Sequence, residues 1–436
     1  MRSKAAVIMF GAAKKGGGGM RGMILNLFFW VVFCLVSAPS PGLAQVFTLV
    51  EDISPVPIGG AREPSLFALT DGSILMGWTE PTESGFAVRT AILADDVWSA
   101  PHDVVVSDAL FVNWADFASV SAFGDGTLVA HWLVETGPSA YAYDINISIS
   151  DDRGQTWGPV IVPHDDDLPR EHGFVSLLPL GTDEMLAVWL DGRAYDSSAT
   201  GEAKTAFGNA MQVRTATLRP DGELRDEAIL DLRSCTCCQT AVTATANGTV
   251  IVAYRDRAAD EIRDIALSRR VGDIWSDPTV VHPDGWEISG CPVNGPALDS
   301  AGQNVVLAWY TEGGGRPEVK VSLSSDAGET FGTPVRVDLG DPIGHVDVLQ
   351  QSDGTALVAW IEWVDGGETM FICRVGPDEA CDDRQALTRH KGYGSMNFPR
   401  MVTVQGGVVF AWTQPVAELD GGLERASVIR VIRARR

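Results

Sequence analysis

Asp71-Gly72-Ser73-Ile74-Leu75-Met76-Gly77-Trp78 reads as a tight turn running into an apolar strand that ends on an aromatic ring. The same reading returns six more times. The copies are DGTLVAHW at Asp125–Trp132, DEMLAVW at Asp183–Trp189, NGTVIVAY at Asn247–Tyr254, QNVVLAW at Gln303–Trp309, DGTALVAW at Asp353–Trp360 and GGVVFAW at Gly406–Trp412. Asp-Gly and Asn-Gly supply the positive φ that a hairpin turn needs, so each copy is expected to lead into the second strand of a four-stranded unit. Successive copies lie about 50 to 65 residues apart, the length of one propeller blade. The expectation is an all-β propeller of four-stranded blades, with seven blades favoured and six as the alternative. The strand Val46–Asp52 is free to complete the last blade, because little chain remains after Trp412.

A second element lies between these copies. Ser150-Asp151-Asp152-Arg153-Gly154-Gln155-Thr156-Trp157 and Ser324-Ser325-Asp326-Ala327-Gly328-Glu329-Thr330-Phe331 both fit S-x-D-x-G-x-T-aromatic, and worn copies end at Trp98 and Trp275. In this string the chain resembles the sialidase superfamily, whose Asp box has that pattern. The Ser and Asp side chains bond the turn backbone, Gly takes the left-handed position and the aromatic packs between layers, so the box supports the fold rather than the chemistry. The resemblance implies glycoside hydrolysis on an acidic sugar. Its arginines would clamp a carboxylate, with Arg62 in Ala61-Arg62-Glu63-Pro64 as the early member and Arg400 as a later one. It also implies a tyrosine nucleophile late in the chain, for which Tyr393 is the only candidate. A carboxylic acid must protonate the leaving group, with Asp116 available and Glu171 as a further carboxylate.

Five basic residues precede an apolar run from Met23 to Ala38, and Gly42-Leu43-Ala44 precedes Gln45. That order reads as a secretory signal over residues 1–44, leaving one domain over 45–436 with no membrane span, periplasmic or secreted and expected to be a monomer. Losing five positive charges takes the net charge from −24 to −29, which argues against nucleic acid and anionic membrane as partners. A small molecule or glycan in the central funnel is the expected ligand.

In a propeller the residues ahead of each innermost strand converge on one mouth. Besides the residues already named, these are Asn113, Trp114, Arg170, His172, Cys235, Cys237, Cys238, Cys291, Asn294, His345, Asp347 and Asn397. Cys373 and Cys381 flank a Gly-Pro-Asp turn and are expected to pair across a hairpin. Read as a strand, Cys235 and Cys237 face one side and Cys238 the other. With Cys291 they allow two disulfides, a metal site or one of each, and three thiolates with His345 or His172 suit copper(I) or zinc. Three functions therefore stand open: a sialidase-like hydrolase, a thiolate metal site with a redox or metal-handling role, and a binding propeller without turnover. The alternating charges from Tyr254 to Asp264 are read as cross-strand ion pairs, with binding of an anionic ligand left open, and Asp165–Asp167 as a solvated loop, with weak attraction of calcium as the alternative.

Overall fold

A computed structural model describes residues 45–55, 59–196, 198–200, 208–377, 379–391, 396–416 and 427–436. The expected signal segment lies outside these. The described chain is all β, a seven-bladed propeller of antiparallel sheets. The inner strands, blade by blade, are Arg62–Ala68, Ser119–Ala122, His172–Pro179, Ala241–Ala244, Ala297–Ala301, Pro342–Gln350 and Arg400–Val404. Blade 2 is a three-stranded sheet, and its fourth position is marked by a lone bridge between Ile147 and Ile161. Strand Leu49–Asp52 pairs with the last strand, Ser427–Arg435, with Leu49 opposite Arg435 and Asp52 opposite Ile432.

Each repeated copy leads into the second strand of its blade, from Ile74–Thr82 in blade 1 to Gly407–Pro415 in blade 7. The turn glycines Gly72, Gly126, Gly248 and Gly354 have φ of 86°, 93°, 83° and 87°. These strands are covered on both faces by neighbouring blades, so they are apolar throughout rather than alternating. Ile74, Met76 and Trp78 of blade 1 pack with Val409, Ala411 and Val431 of blade 7. The seven closing aromatics, Trp78, Trp132, Trp189, Tyr254, Trp309, Trp360 and Trp412, are all buried.

Buried indoles need an acceptor, and in four blades it lies two residues downstream. Trp78, Trp189, Trp360 and Trp412 donate to Glu80 (2.7 Å), Asp191 (2.9 Å), Glu362 (2.9 Å) and Gln414 (3.1 Å). Every second residue of a strand lies on the same face, so an acceptor at that spacing meets the ring edge.

The two complete boxes share one hydrogen-bond pattern. Asp152 accepts from Ser150 (2.9 Å), the Thr156 amide (2.8 Å) and the Thr156 hydroxyl (2.6 Å), and Asp326 does the same with Ser324 and Thr330. Two consecutive residues are left-handed in each, Arg153-Gly154 and Ala327-Gly328. The sequences ending at Trp98 and Trp275 form different turns. Ala94 pairs with Val97 across left-handed Asp95 and Asp96, and Val271 pairs with Ile274, so both are two-residue hairpins.

The charged stretch near Tyr254 also differs from its sequence reading. The second strand of blade 4 ends at Arg255 and the next begins at Ile265, so the intervening charges lie in a loop. Arg257 and Arg263 bind Glu261 within it, at 2.7 and 2.9 Å, while Arg233 approaches from blade 3 at 3.6 Å. Arg255 is buried and donates to three carbonyls instead, those of Asn294, Arg263 and Tyr310.

Candidate functional site

Inner strands from all seven blades line one central cavity of about 280 Å³, near the lower edge of the size range for small-molecule sites. Three of these strands open with a bulge. Pairing skips between Arg62 and Ser65, between Gly173 and Ser176, and between Gly344 and Asp347. Each bulge holds a non-glycine residue in the left-handed region, namely Glu63, Phe174 and His345 with φ of 49°, 54° and 51°. Such conformers cost about 1–3 kcal/mol each and concentrate at functional sites.

Asp116 and Asp347 line the cavity together with Arg400. Asp116 accepts the Phe174 amide at 2.8 Å and the Tyr143 phenol at 3.0 Å. It fits only because residue 173 is glycine, since a Cβ there would lie 1.9 Å from Asp116 Oδ2. The Tyr143 oxygen is also 3.0 Å from Glu171 Oε1. Burial pushes Asp116 up to about 7 and Glu171 up to about 8, overcoming the hydrogen bonds that favour the charged forms. Burial also raises Asp347, to about 6, against the pull of the Arg400 cation.

Arg400 is the cation of this cavity. Its guanidinium lies 5.4 Å over the Phe117 ring and makes no hydrogen bond among the described residues. Burial holds its pKa down, and Asp347 opposes that. Arg62, the other expected clamp, does not line the cavity. Its Nε donates to the Gly60 carbonyl at 3.1 Å and its cation lies 5.9 Å from the Phe86 ring. Beside it Glu63 is buried, accepts from Asn397 at 2.7 Å and is pushed up to about 8 by burial. Tyr393 lies outside the described residues. At the mouth Trp114 stacks 6.1 Å from Phe398, which lies 4.3 Å from His345.

The cysteines resolve into pairs and thiols. Cys373 bonds to Cys381 as expected, and Cys237 bonds to Cys291. Cys235 and Cys238 are free and buried. The strand reading of this segment fails: the chain leaves strand at Ser234 and bends, which brings Cys238 onto Cys235 instead of onto the opposite face. Sulfur atoms of Cys235, Cys237 and Cys238 lie within 4.8 Å of one another. Neither histidine joins them. His345 packs among the mouth aromatics, and His172 lies against Asp166 and Asp144. Arg263 Nη1 is 3.6 Å from Cys235 Sγ. Burial alone would raise the Cys235 thiol, but the Cys238 hydrogen bond and the Arg263 cation outweigh it and bring it down to about 6.

No protein-family model and no curated protein sequence matches this chain. Solved structures do resemble it. The Penicillium chrysogenum α-L-arabinanase complexed with arabinobiose is 14% identical, over 87% of this chain and 98% of that one, with a TM-score of 0.48. The Hadza microbial sialidase Hz136 is 16% identical over 69% and 63%, with a TM-score of 0.44. The endosialidase of phage phi92 is 10% identical over 89% and 69%, with a TM-score of 0.48. Likenesses this distant transfer no activity.

Proposed function

We propose that the chain is an exported, sialidase-like hydrolase that takes a small carboxylated sugar into its central channel. The observation that carries this is Arg400, a guanidinium in the channel wall with no hydrogen bond of its own, sharing the cavity with a carboxyl raised to about 7. A planar guanidinium without a hydrogen-bond acceptor suits a ligand carboxylate, which it grips with two parallel hydrogen bonds. Asp116, largely protonated up to neutral pH, donates its proton to the glycosidic oxygen as that bond breaks. Asp347, ionised above about pH 6, takes the proton from the attacking water. The two disulfides and the basic, apolar, small-residue order of residues 1–44 support export. Hydrolysis of a fluorogenic sialoside tests this reading: Asp116→Asn should lose at least a hundredfold in kcat with its fold unchanged. Full activity in that variant removes the assignment.

A second reading rests on the cysteines. Cys235 Sγ lies 3.8 Å from Cys237 Sγ, one half of the Cys237–Cys291 disulfide. The Arg263 cation beside it suits a thiolate and repels a metal ion, so this arrangement favours thiol chemistry over copper or zinc. Attack of the Cys235 thiolate on Cys237 sulfur forms a Cys235–Cys237 bond and releases Cys291 as a thiolate, which takes a proton from water at its exposed position. Native alkylation should then label Cys291 in the parent protein and not in Cys235→Ser. An unlabelled Cys291 in the parent excludes the exchange.

A further inference from the structure

Behind Tyr143 and Glu171, between blades 2 and 3, lies a second cluster that the channel does not use. A lone parallel bridge joins Tyr143 to Glu171, and the next residues of the two segments, Asp144 and His172, come together with their side chains in contact. The rings of His164 and His172 stack, with centroids 3.8 Å apart and planes 8° from parallel.

Asp166 lies against one edge of that stack. Its Oδ1 is 3.3 Å from His164 Nδ1 and its Oδ2 is 3.2 Å from His172 Nε2. A neutral imidazole has one N–H, and a carboxylate facing both rings draws both protons to its own side. The lone pairs are then left on His164 Nε2 and His172 Nδ1, at the opposite edge. There Asp144 Oδ1 stands 3.5 Å from His172 Nδ1 and 3.9 Å from His164 Nε2.

This second edge has one weak donor for three acceptors. His172 is fully buried, and neither its Nδ1 nor Asp144 Oδ1 has a hydrogen-bond partner. The Ile145 amide reaches His164 Nε2 only at 3.4 Å. Acceptors facing one another in a buried site call for a positive centre between them. The charge balance agrees, because Asp144, Asp166 and Asp191 surround the rings, while Arg193 and Arg214 offset only part of it. Tetrahedral zinc, with bonds of about 2.0–2.2 Å, holds its ligand atoms roughly 3.3–3.6 Å apart.

We propose that Asp144 Oδ1, His164 Nε2 and His172 Nδ1 form a binding site for a divalent cation of the zinc class. Asp166 is the outer carboxylate that sets both tautomers. His172 is thereby a metal ligand of this cluster and not of the cysteine group.

The experiment loads purified protein with Zn²⁺, removes the excess by gel filtration and counts metal by mass spectrometry. About one Zn²⁺ per chain is expected. Asp144→Asn and His164→Gln should each lose it, and Asp166→Asn should weaken it by about 10–100-fold. The double variant Cys235→Ser/Cys238→Ser should keep it. Thermal melting of each apo variant confirms that the fold is intact, and Asp144→Asn is near-isosteric with the parent. Absence of Zn²⁺ in the parent overturns the proposal, as does Zn²⁺ that stays in Asp144→Asn and leaves with the cysteines.

Discussion

The phenol oxygen of Tyr143 stands 3.0 Å from Oδ2 of Asp116 in the wall of the channel. The same oxygen is 3.0 Å from Glu171, and one phenolic proton cannot serve two acceptors. One carboxyl must carry a proton of its own, which agrees with both being raised, to about 7 and about 8. The two titrate as a pair linked through the phenol. Such a chain keeps a proton available at the channel wall near neutral pH.

This pair makes stability depend on pH. Both folded pKa values lie above the unfolded ones, roughly 3.9 and 4.3. The folded state therefore holds protons that the unfolded chain releases. Stability from the pair is full below about pH 4 and falls as pH rises through about 7 to 8. The unfolding free energy from urea titrations should fall between pH 5 and 8.5, by on the order of a few kcal/mol in all. Glu171→Gln should flatten that fall, and an unchanged slope in the variant would show that the pair is not its source.

Trp360→Phe keeps most of the ring and removes the indole donor to Glu362, a buried carboxylate that also accepts the Leu339 and Asp341 amides. Losing one charge-assisted bond should destabilise by about 1.5–3 kcal/mol. Trp132→Phe is the control, because the indole N–H of Trp132 is buried without a partner. Denaturant unfolding of both should show the larger loss at Trp360.

Arg255→Lys should not substitute for arginine. Three carbonyls from separate segments share the fork of Arg255, whose cation also lies 4.8 Å from the Trp286 ring. An ammonium is too compact to reach all three, and each orphaned carbonyl costs about 1–3 kcal/mol. A drop in melting temperature of several degrees is expected for the variant, and a drop of less than one degree would show that the fork is not needed.

The repeat was legible because each copy meets the same local demands. A turn such as Asp71-Gly72 needs positive φ, and an aromatic such as Trp78 must be buried between blades. The pairing of Cys373 with Cys381 was legible for a similar reason, since one short hairpin holds both. The channel was legible in part: Asp116 and Arg400 do line it, while Arg62 turns to the Gly60 carbonyl. What stayed hidden depends on distant chain segments or on bends. Tyr143 gains its role only because the fold brings Asp116 and Glu171 to it. Asp166 looked like one member of a solvated acidic loop, yet its carboxylate faces two histidines. The bend after Ser234 reversed the expected facing of Cys238. The one overlooked signal with a local spacing was the acceptor two residues after the blade aromatic, as in Trp360 and Glu362.

Arg400 as the holder of a ligand carboxylate in the channel is open to direct measurement by calorimetric binding of N-acetylneuraminic acid. The parent protein should bind the acid and bind its methyl ester at least tenfold more weakly, while Arg400→Met should show the same weak affinity for both. Equal affinity of the parent for acid and ester, or undiminished binding of the acid by Arg400→Met, would rule out this role for Arg400.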